Sequence, residues 1–213
     1  MEHYYSEQQK SLLNIKKIKQ KIKGKEFEFY TSSGIFSKDK IDKGTLVLAE
    51  NMFIAQNSNV LDIGCGIGVL GIAAAKLFNA NVVMSDINKR AVMLAKKNIN
   101  LNNVKADVHQ GNLYKSIKQN DFDVILSNPP QTAGKEICFQ LIEQSKNYLK
   151  SYRNKVSGEL KNQRFLSNNG SLQLVARHNK GGEALSAKMQ EVFGNVEVIA
   201  RKAGYWVYMS VKE

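Results

Sequence analysis

A short apolar run that ends in an acid and leads into a glycine-rich turn is the first stretch of this chain with a chemical signature. The run ends at Asp62, and Gly64, Gly66 and Gly68 follow before a segment of helical character. Glycines let a backbone approach a ligand closely, and the first turn of a helix offers unpaired N–H groups. A carboxylate at this position repels a pyrophosphate and attracts an ammonium group. The pattern indicates a nucleotide-type ligand with a cationic amino-acid end, unless it is a tight turn that binds nothing.

A second acid, Asp86, ends the next apolar run, residues 81–86. In nucleotide-binding βαβ units an acid about 20 residues after the glycines accepts hydrogen bonds from ribose hydroxyls. Asp86 fits that role, and the alternative is that it caps the following helix. Asn112 comes after a further predicted strand, residues 105–109, where its side chain either bonds an adenine edge or belongs to a plain turn.

The sequence Asn128-Pro129-Pro130-Gln131 directly follows a predicted strand and is the third chemical feature. Two prolines stop the ladder and fix the backbone, so Asn128 is held at the carboxyl end of that strand, where open α/β sheets bind ligands. The Asn128 side-chain oxygen and the Pro129 carbonyl can accept hydrogen bonds from one amino group. Such bonds hold a planar amine and aim its lone pair, without a strong base. Taken alone, the same residues are also a common way to end a strand.

Predicted strands and helices alternate along most of the chain, which is typical of a mainly parallel sheet. Strands are predicted over residues 26–30, 60–63, 81–86, 105–109, 122–127, 171–176, 196–201 and 205–211. Helices are predicted over 46–53, 72–78, 91–99, 134–150 and 182–193. The last two strands are joined by a hairpin signature at 202–204, which makes that end of the sheet antiparallel.

The bulk properties suit one folded domain with a polyanionic partner. The chain has 213 residues, of which 43% are hydrophobic, with a formal net charge of +12 and a pI of about 9.6. Such a charge favours nucleic acid, although a lysine-rich surface in water gives the same balance. The two cysteines belong to no metal-type cluster, and no apolar run approaches the roughly 20 residues that span a bilayer. We expect a cytoplasmic protein with free thiols, no metal and no membrane contact.

Residues 1–25 differ from the rest and are predicted to form a basic helical segment ahead of a domain over 26–213. Seven lysines and no acid lie between Lys10 and Lys25, and Leu12, Ile15 and Ile18 recur at helical spacing. Lys16 and Lys17 are candidates to contact RNA phosphates, and the alternative is a solvated face. Residues 151–169 form a second basic stretch, predicted as an insertion, from which Arg153 is a further candidate contact.

Taken together, these motifs resemble those of class I S-adenosylmethionine-dependent methyltransferases. The sequence from Asp62 to Gly66 resembles their motif I, Asp86 their ribose-binding acid, and Asn128-Pro129-Pro130 the Asn-Pro-Pro-aromatic motif of amino-methylating members. The segment at 34–44 resembles the lead-in of the small-methyltransferase superfamily, which includes bacterial guanine-N2 methyltransferases of 16S ribosomal RNA. The ending around 192–205 is similar to compact archaeal members.

The resemblance implies a Rossmann-like α/β fold with a seven-stranded, mostly parallel sheet whose last strand is antiparallel. It also implies S-adenosyl-L-methionine as cofactor and Asn128 with Pro129 as the catalytic pair. The implied cofactor-binding residues are Phe36, Asp62, Gly64, Cys65, Gly66, Asp86, Ile87, Asn112 and Asn128. Pro130 and Gln131 would border the substrate. Gln131 departs from the family pattern, because an aromatic residue normally stands there and stacks on the target.

The expected reaction is methyl transfer to the exocyclic N2 of a guanine in ribosomal or transfer RNA. A guanine-N7 RNA methyltransferase and a protein glutamine-N5 methyltransferase are the alternatives, since a glutamine amide also suits an Asn-Pro-Pro site. A non-catalytic RNA-binding module with a vestigial pocket is the third, and the intact acids and Asn128 argue against it. Either a monomer or a homodimer is compatible with the sequence.

Overall fold

The computed structural model describes residues 14–32, 40–131, 134–151 and 169–213. The strands are β1 (Ile15–Ile22), β2 (Lys25–Ser32), β3 (Asn59–Ile63), β4 (Asn81–Asp86), β5 (Ala106–Gln110), β6 (Val124–Ser127), β7 (Ser171–Arg177), β8 (Glu197–Lys202) and β9 (Tyr205–Val211). The helices are α1 (Lys43–Asn51), α2 (Val69–Phe78), α3 (Lys89–Leu101), α4 (Lys135–Tyr148) and α5 (Gly182–Phe193), with a short 3₁₀ turn at His178–Lys180.

Seven strands form one sheet in the order β5-β4-β3-β6-β7-β9-β8. Strands β3 to β7 are parallel to one another, whereas β9 runs antiparallel to both β7 and β8. The prediction of a seven-stranded, mostly parallel sheet with an antiparallel last strand is confirmed. The carboxyl ends of β3, β4 and β6 therefore meet at one edge, where Asp86 and Asn128 were expected to lie.

The prediction of a basic helix at the N-terminus is wrong for the part that the structure describes. Ile15–Ile22 is a strand that pairs antiparallel with β2 through a two-residue turn at Lys23 and Gly24, both of which have positive φ. Ile18, Gln20 and Ile22 are at least half-buried, whereas Lys17, Lys19 and Lys21, which alternate with them, are exposed. This alternation with a period of two is that of a strand.

Asn98 of α3 and Asn102, the C-cap of that helix, hold this hairpin against the domain. Asn102 Nδ2 donates to the Glu28 carbonyl at 2.7 Å, and Asn102 Oδ1 accepts from the Glu28 N–H at 3.3 Å. Asn98 does the same for the N–H and carbonyl of Tyr30, at 2.6 and 3.0 Å. The two residues are one helical turn apart, so their amides act as a strand would on the open edge of β2.

The core lies on both faces of the sheet. Helices α1, α2 and α3 pack with the β1–β2 hairpin on one face, around Leu48 and Ile72, and α4 and α5 cover the other, around Leu141 and Met189. Helices on both faces of a parallel sheet are the expected way to bury its continuous apolar strands, such as β6. No helix of the described part of the chain is both long and apolar enough to cross a membrane.

Candidate active site

The glycine turn forms the floor of a pocket at the carboxyl edge of the sheet. Gly64 and Gly66 line this pocket, both have positive φ, and a Cβ added to either would meet no protein atom within 4 Å. The N–H groups of Gly64 and Cys65 donate to the Ser85 carbonyl, at 2.8 and 3.0 Å. The turn is thus tied to β4 from below, and a ligand would meet the bare Cα atoms of its glycines.

Asp62 lies beneath this turn. Its side chain is fully buried, Oδ2 accepts the Gly71 N–H at 2.9 Å, and Oδ1 has no hydrogen-bond partner among the described residues. Burial raises its pKa to about 7, against the effect of the Gly71 hydrogen bond, and Asp86 adds to the rise. The carboxylate does not line the pocket, so this structure gives it the role of holding the turn to the start of α2. Direct contact of Asp62 with an ammonium group stays a prediction.

Asp86 joins the turn to the next helix. Its Oδ2 accepts from the Gly66 N–H and its Oδ1 from the Asn88 N–H, both at 2.8 Å, and the residue lines the pocket. Asn88 caps α3, because its side chain accepts from Arg90 N and Ala91 N. Asp86 is therefore not the cap, which removes the alternative that the sequence left open. Burial raises the pKa of Asp86, and each carboxylate oxygen keeps a lone pair for a ribose hydroxyl.

Ile87, Asn112 and Leu113 line the far end of the pocket, next to Asp86. The Asn112 carbonyl accepts from Lys115 N, but the Asn112 side-chain amide makes no hydrogen bond with the described residues. An apolar wall beside one unengaged amide suits a flat, polar-edged ring such as adenine. Cys65 also lines the pocket as a buried thiol whose pKa is raised by burial, so it stays neutral and acts as an apolar contact.

Asn128 lies at the opposite end of the pocket in a network of short hydrogen bonds. Its Nδ2 donates to Asp42 Oδ2 and to Thr45 Oγ1, both at 2.9 Å. The same Asp42 oxygen caps α1 by accepting the Thr45 N–H at 3.0 Å. Ser127, directly before Asn128, donates to the Ile63 carbonyl at 2.9 Å, which ties the ends of β6 and β3 together. Both amide hydrogens of Asn128 are used, and Oδ1 accepts no hydrogen bond from the described residues.

The residues after Asn128 are held in place by the sheet. The Pro129 carbonyl accepts the Gln131 N–H at 2.8 Å, so only its second lone pair can meet an acceptor amine. Pro130 lines the pocket. The Gln131 side chain bonds backbone at the end of β7 and just after it. Its Oε1 accepts from Arg177 N and its Nε2 donates to the Lys180 carbonyl, both at 3.1 Å.

Other predicted site residues lie elsewhere. Lys16 and Lys17 are exposed on β1 and do not line the pocket. Phe36 and Arg153 lie outside the described residues. Within the described ranges, no group of three or more His, Cys, Asp or Glu side chains is placed to hold a metal.

Sequence reasoning missed the partners of the site residues. Ser127 carried no signal of its own, and Thr45 suggested only the start of a helix, which in the structure is capped by Asp42 three residues earlier. Asn98 was also missed. It is fully buried, and besides holding β2 it donates to the carbonyl of Ile67 in the glycine turn at 3.0 Å. Its partners are distant in sequence, so no local pattern could have identified it.

A family model described as the methyltransferase small domain matches residues 26–160 and 155–209. The uncharacterized protein YbxB of Bacillus subtilis is 30% identical, with 99% of this chain and 98% of that protein aligned. The ribosomal RNA small subunit methyltransferase C of Hamiltonella defensa is 28% identical across 98% of this chain. That alignment takes in 57% of the relative, so the chain spans little more than half of its length.

Solved structures share the fold. The 16S rRNA N2 G1207 methyltransferase of Thermus thermophilus, determined with AdoMet and guanosine, has a TM-score of 0.75 at 22% identity. The similarity covers 95% of this chain and 51% of that one. A methyltransferase from Pyrococcus furiosus has a TM-score of 0.63 at 20% identity, with 84% and 90% covered.

Proposed function

This chain belongs to the methyltransferase small domain family, and from that membership we propose that it methylates the exocyclic N2 of a guanine in ribosomal RNA. It is an S-adenosylmethionine-dependent methyltransferase. A ribosomal RNA substrate is supported by the name of the ribosomal RNA small subunit methyltransferase C, of which the alignment takes in 57%. The observation that carries the N2 proposal is the Asn128 amide. Its nitrogen is engaged by Asp42 and Thr45, and its oxygen stays available at the pocket.

The pocket residues fit the cofactor. The Cβ-free floor at Gly64 and Gly66 gives the ligand room, and Asp86 would accept hydrogen bonds from the ribose hydroxyls. Ile87 and Asn112 would hold the adenine by its face and its edge. When bound, S-adenosylmethionine supplies a methyl group activated by a positively charged sulfur.

The acceptor side needs positioning and charge stabilisation. An exocyclic amine that donates to Asn128 Oδ1 is held with its lone pair turned away from that bond. As the nitrogen takes the methyl group it becomes positively charged, and the hydrogen bond to Oδ1 strengthens. The Pro129 carbonyl can accept the second amine hydrogen. The surplus proton is then released to water, so no side-chain base is required.

The test is single-turnover methylation of small-subunit ribosomal RNA, followed by mass spectrometry of the nucleosides. We expect N2-methylguanosine. Asn128→Ala should lower the rate of the chemical step by about 10²–10³, the usual scale for one preorganised electrostatic contact. Asn100→Ala, an exposed asparagine on α3, is the matched control and should leave the rate unchanged.

The acceptor atom is tested with inosine, which lacks the exocyclic amine. Inosine at the target position should not be methylated. Transfer to inosine at the guanosine rate would assign the ring nitrogen N7 instead. Methylation of a glutamine amide in a ribosomal protein, with no methylated nucleoside, would replace the RNA proposal with the protein one.

A further inference from the structure

Gln131, which occupies the position of the aromatic residue in the family motif, makes structural hydrogen bonds in this chain. The Gln131 amide is bonded at both ends to backbone, at the last residue of β7 and in the turn that follows it. A Cβ added to Gly181 would lie 3.4 Å from Gln131 Nε2, so the amide packs closely on that connection. Gln131 therefore ties the Asn-Pro-Pro loop to the sheet, and the contact with neighbouring bases must come from other residues.

The tip of the β8–β9 hairpin lies beside this loop. Arg177 at the end of β7 pairs with Tyr205 at the start of β9, and the His178 N–H donates to the Gly204 carbonyl at 3.1 Å. Because β9 is antiparallel to β7, the turn between β8 and β9 lies at the same sheet edge as Asn128. We call Arg177, Arg201, Lys202, Tyr205 and Trp206 the hairpin-tip cluster.

The arginines of this cluster rest on aromatic rings. The Arg177 guanidinium lies 5.3 Å from the Tyr205 ring centroid, and that of Arg201 lies 4.2 Å from the Trp206 centroid. Trp206 is itself stacked on His178, with centroids 3.6 Å apart and an interplanar angle of 7°. A guanidinium already held over a ring loses less conformational freedom when it binds a ligand.

The cations of the cluster also lack acidic partners within the described part of the chain. Elsewhere lysines are paired with acids, for example Lys188 with Glu143 at 2.6 Å. No described acid forms an ion pair with Arg177, Arg201 or Lys202, and all three residues are exposed. Burial raises the pKa of the Tyr208 hydroxyl, Glu183 adds to the rise and Arg201 opposes it, but Glu183 and Arg201 form no ion pair with each other. The surface is thus open to an anion.

The cluster borders the acceptor end of the pocket. A Cβ added to Gly44 would lie 2.9 Å from both Asp42 Oδ2 and the Tyr205 ring. That Asp42 oxygen is the one that accepts from Asn128, at 2.9 Å. A strand whose target base sits at Asn128 would therefore extend onto the tip of the hairpin.

We propose that the hairpin-tip cluster binds the single-stranded nucleotides next to the target base, with Arg177, Arg201 and Lys202 on their phosphates. Cations combined with planar side chains are the means by which proteins hold unpaired strands, whose bases can stack on those planes. This inference rests on the proposed RNA substrate. It adds a binding surface that lies outside the lysines of β1.

The test measures RNA binding by fluorescence anisotropy over a range of salt. The Arg201→Gln/Lys202→Gln protein should bind a single-stranded guanine-containing oligonucleotide at least tenfold more weakly at low salt. Its log–log salt slope should be smaller by about 1.4, since each lost phosphate contact on a single strand removes about 0.7. The matched control is Lys96→Gln/Lys105→Gln, which removes two exposed lysines on α3 and before β5. Equal slopes for the double variant and the control would overturn the proposal.

Further arms separate the sources of failure. Arg177→Lys keeps the charge but not the plane, so it should weaken binding several-fold while the slope stays as in the wild type. The substitutions should weaken binding of an RNA duplex of equal length several-fold less than binding of the single strand. An equal loss of affinity for both would overturn the single-strand assignment. Cofactor affinity and thermal midpoint should not change. If the wild type methylates no RNA, the proposed function fails, whereas methylation with unaffected binding in the variants rejects only this surface.

Discussion

Asn128 and Asp42 are 86 positions apart and are joined by a hydrogen bond of 2.9 Å from Asn128 Nδ2 to Asp42 Oδ2. A bond to a carboxylate is stronger than one between neutral groups and polarises the amide that donates it. With Thr45 taking the other amide hydrogen, the orientation of Asn128 is fixed and its oxygen becomes a better acceptor. Asp42 and Thr45, which also line the pocket, thus position a proposed catalytic residue.

Replacing Asp42 with asparagine should separate this effect from helix capping. Asparagine caps helices as well as aspartate does, so α1 should remain intact. Loss of the charge should lower the single-turnover rate about tenfold, which corresponds to about 1.4 kcal/mol in the barrier. Cofactor affinity should stay within about twofold, since Asp42 lies at the acceptor end and not at the ribose end. Thr45→Val should also lower the rate, whereas Thr45→Ser, which keeps the hydroxyl, should have the wild-type rate. A rate unchanged in Asp42→Asn and Thr45→Val would show that Asn128 needs neither partner.

Asp86 should contribute most of the ribose binding. Asp86→Ala should weaken the binding of S-adenosylmethionine by about 1.5–3 kcal/mol, which is the cost of losing hydrogen bonds to a charged acceptor. The same change frees the Gly66 and Asn88 N–H groups, so Asp86→Asn, which keeps one acceptor, should have a smaller effect. Isothermal calorimetry measures both, with NAD as the ligand that should not bind. Affinity in Asp86→Ala equal to that of the wild type would remove the ribose role.

The chemical residues could be predicted from the sequence because they follow strands that are easy to recognise. Asp86 and Asn128 each end a β-branched or apolar run, and the carboxyl ends of parallel strands meet by geometry. The residues that orient them could not. Asp42 is brought to Asn128 by the packing of α1 on the sheet, and nothing within a few residues of either position encodes that contact.

The N-terminal hairpin shows how one pattern can fit two periods. Leu12, Ile15 and Ile18 follow a helical repeat, yet Lys17, Lys19 and Lys21 alternate with more buried residues. The turn at Lys23 and Gly24 brings the apolar strand β2 back alongside residues 15–22, so these residues can pair as a strand. A paired strand is more stable here than an isolated basic helix, in which neighbouring lysines repel one another.

The stability of the fold should depend on pH through Asp62. Burial raises the pKa of Asp62 to about 7, above the 3.8 of an exposed carboxyl. The folded state therefore binds more protons between about pH 4 and 7, and this contribution is present at low pH and lost as pH rises towards 7. In Asp62→Asn the free energy of unfolding should fall less over that range, as measured by urea unfolding at several pH values. Asp107→Asn, at an exposed position on β5, is the control and should keep the wild-type profile.

Removing Asn98 should destabilise the protein more than its position on a helix suggests. Its amide pairs the N–H and carbonyl of Tyr30 and the carbonyl of Ile67. Asn98→Ala leaves these groups without partners, so we expect a loss of about 3 kcal/mol in urea unfolding. Asn98→Asp keeps the acceptor for Tyr30 N but buries a carboxyl group against two carbonyl oxygens, so at neutral pH it should cost at least as much as Asn98→Ala. Asn100→Ala on the exposed side of α3 should cost under about 0.5 kcal/mol. A comparable change in both alanine variants would mean that the buried hydrogen bonds of Asn98 contribute little to stability.

The lysines of β1 should be tested through the acid that partly neutralises them. Glu28 on β2 forms an ion pair with Lys17, with Lys17 Nζ 2.8 Å from Glu28 Oε2, and Lys19 Nζ lies 3.8 Å from Glu28 Oε1. If this face of the hairpin contacts RNA phosphates, Glu28→Gln releases both lysines for that contact. RNA affinity at low salt should rise, and the log–log salt slope should steepen by up to about 1.4 on a single strand.

Lys17→Gln should change the slope less than Lys21→Gln, because Lys17 is already paired and Lys21 forms no ion pair with the described residues. Glu26→Gln, which removes an exposed acid of the same strand, serves as the control for net charge. A slope that steepens equally in Glu26→Gln and Glu28→Gln would reflect overall charge, and slopes that change in neither would make these lysines a solvated face.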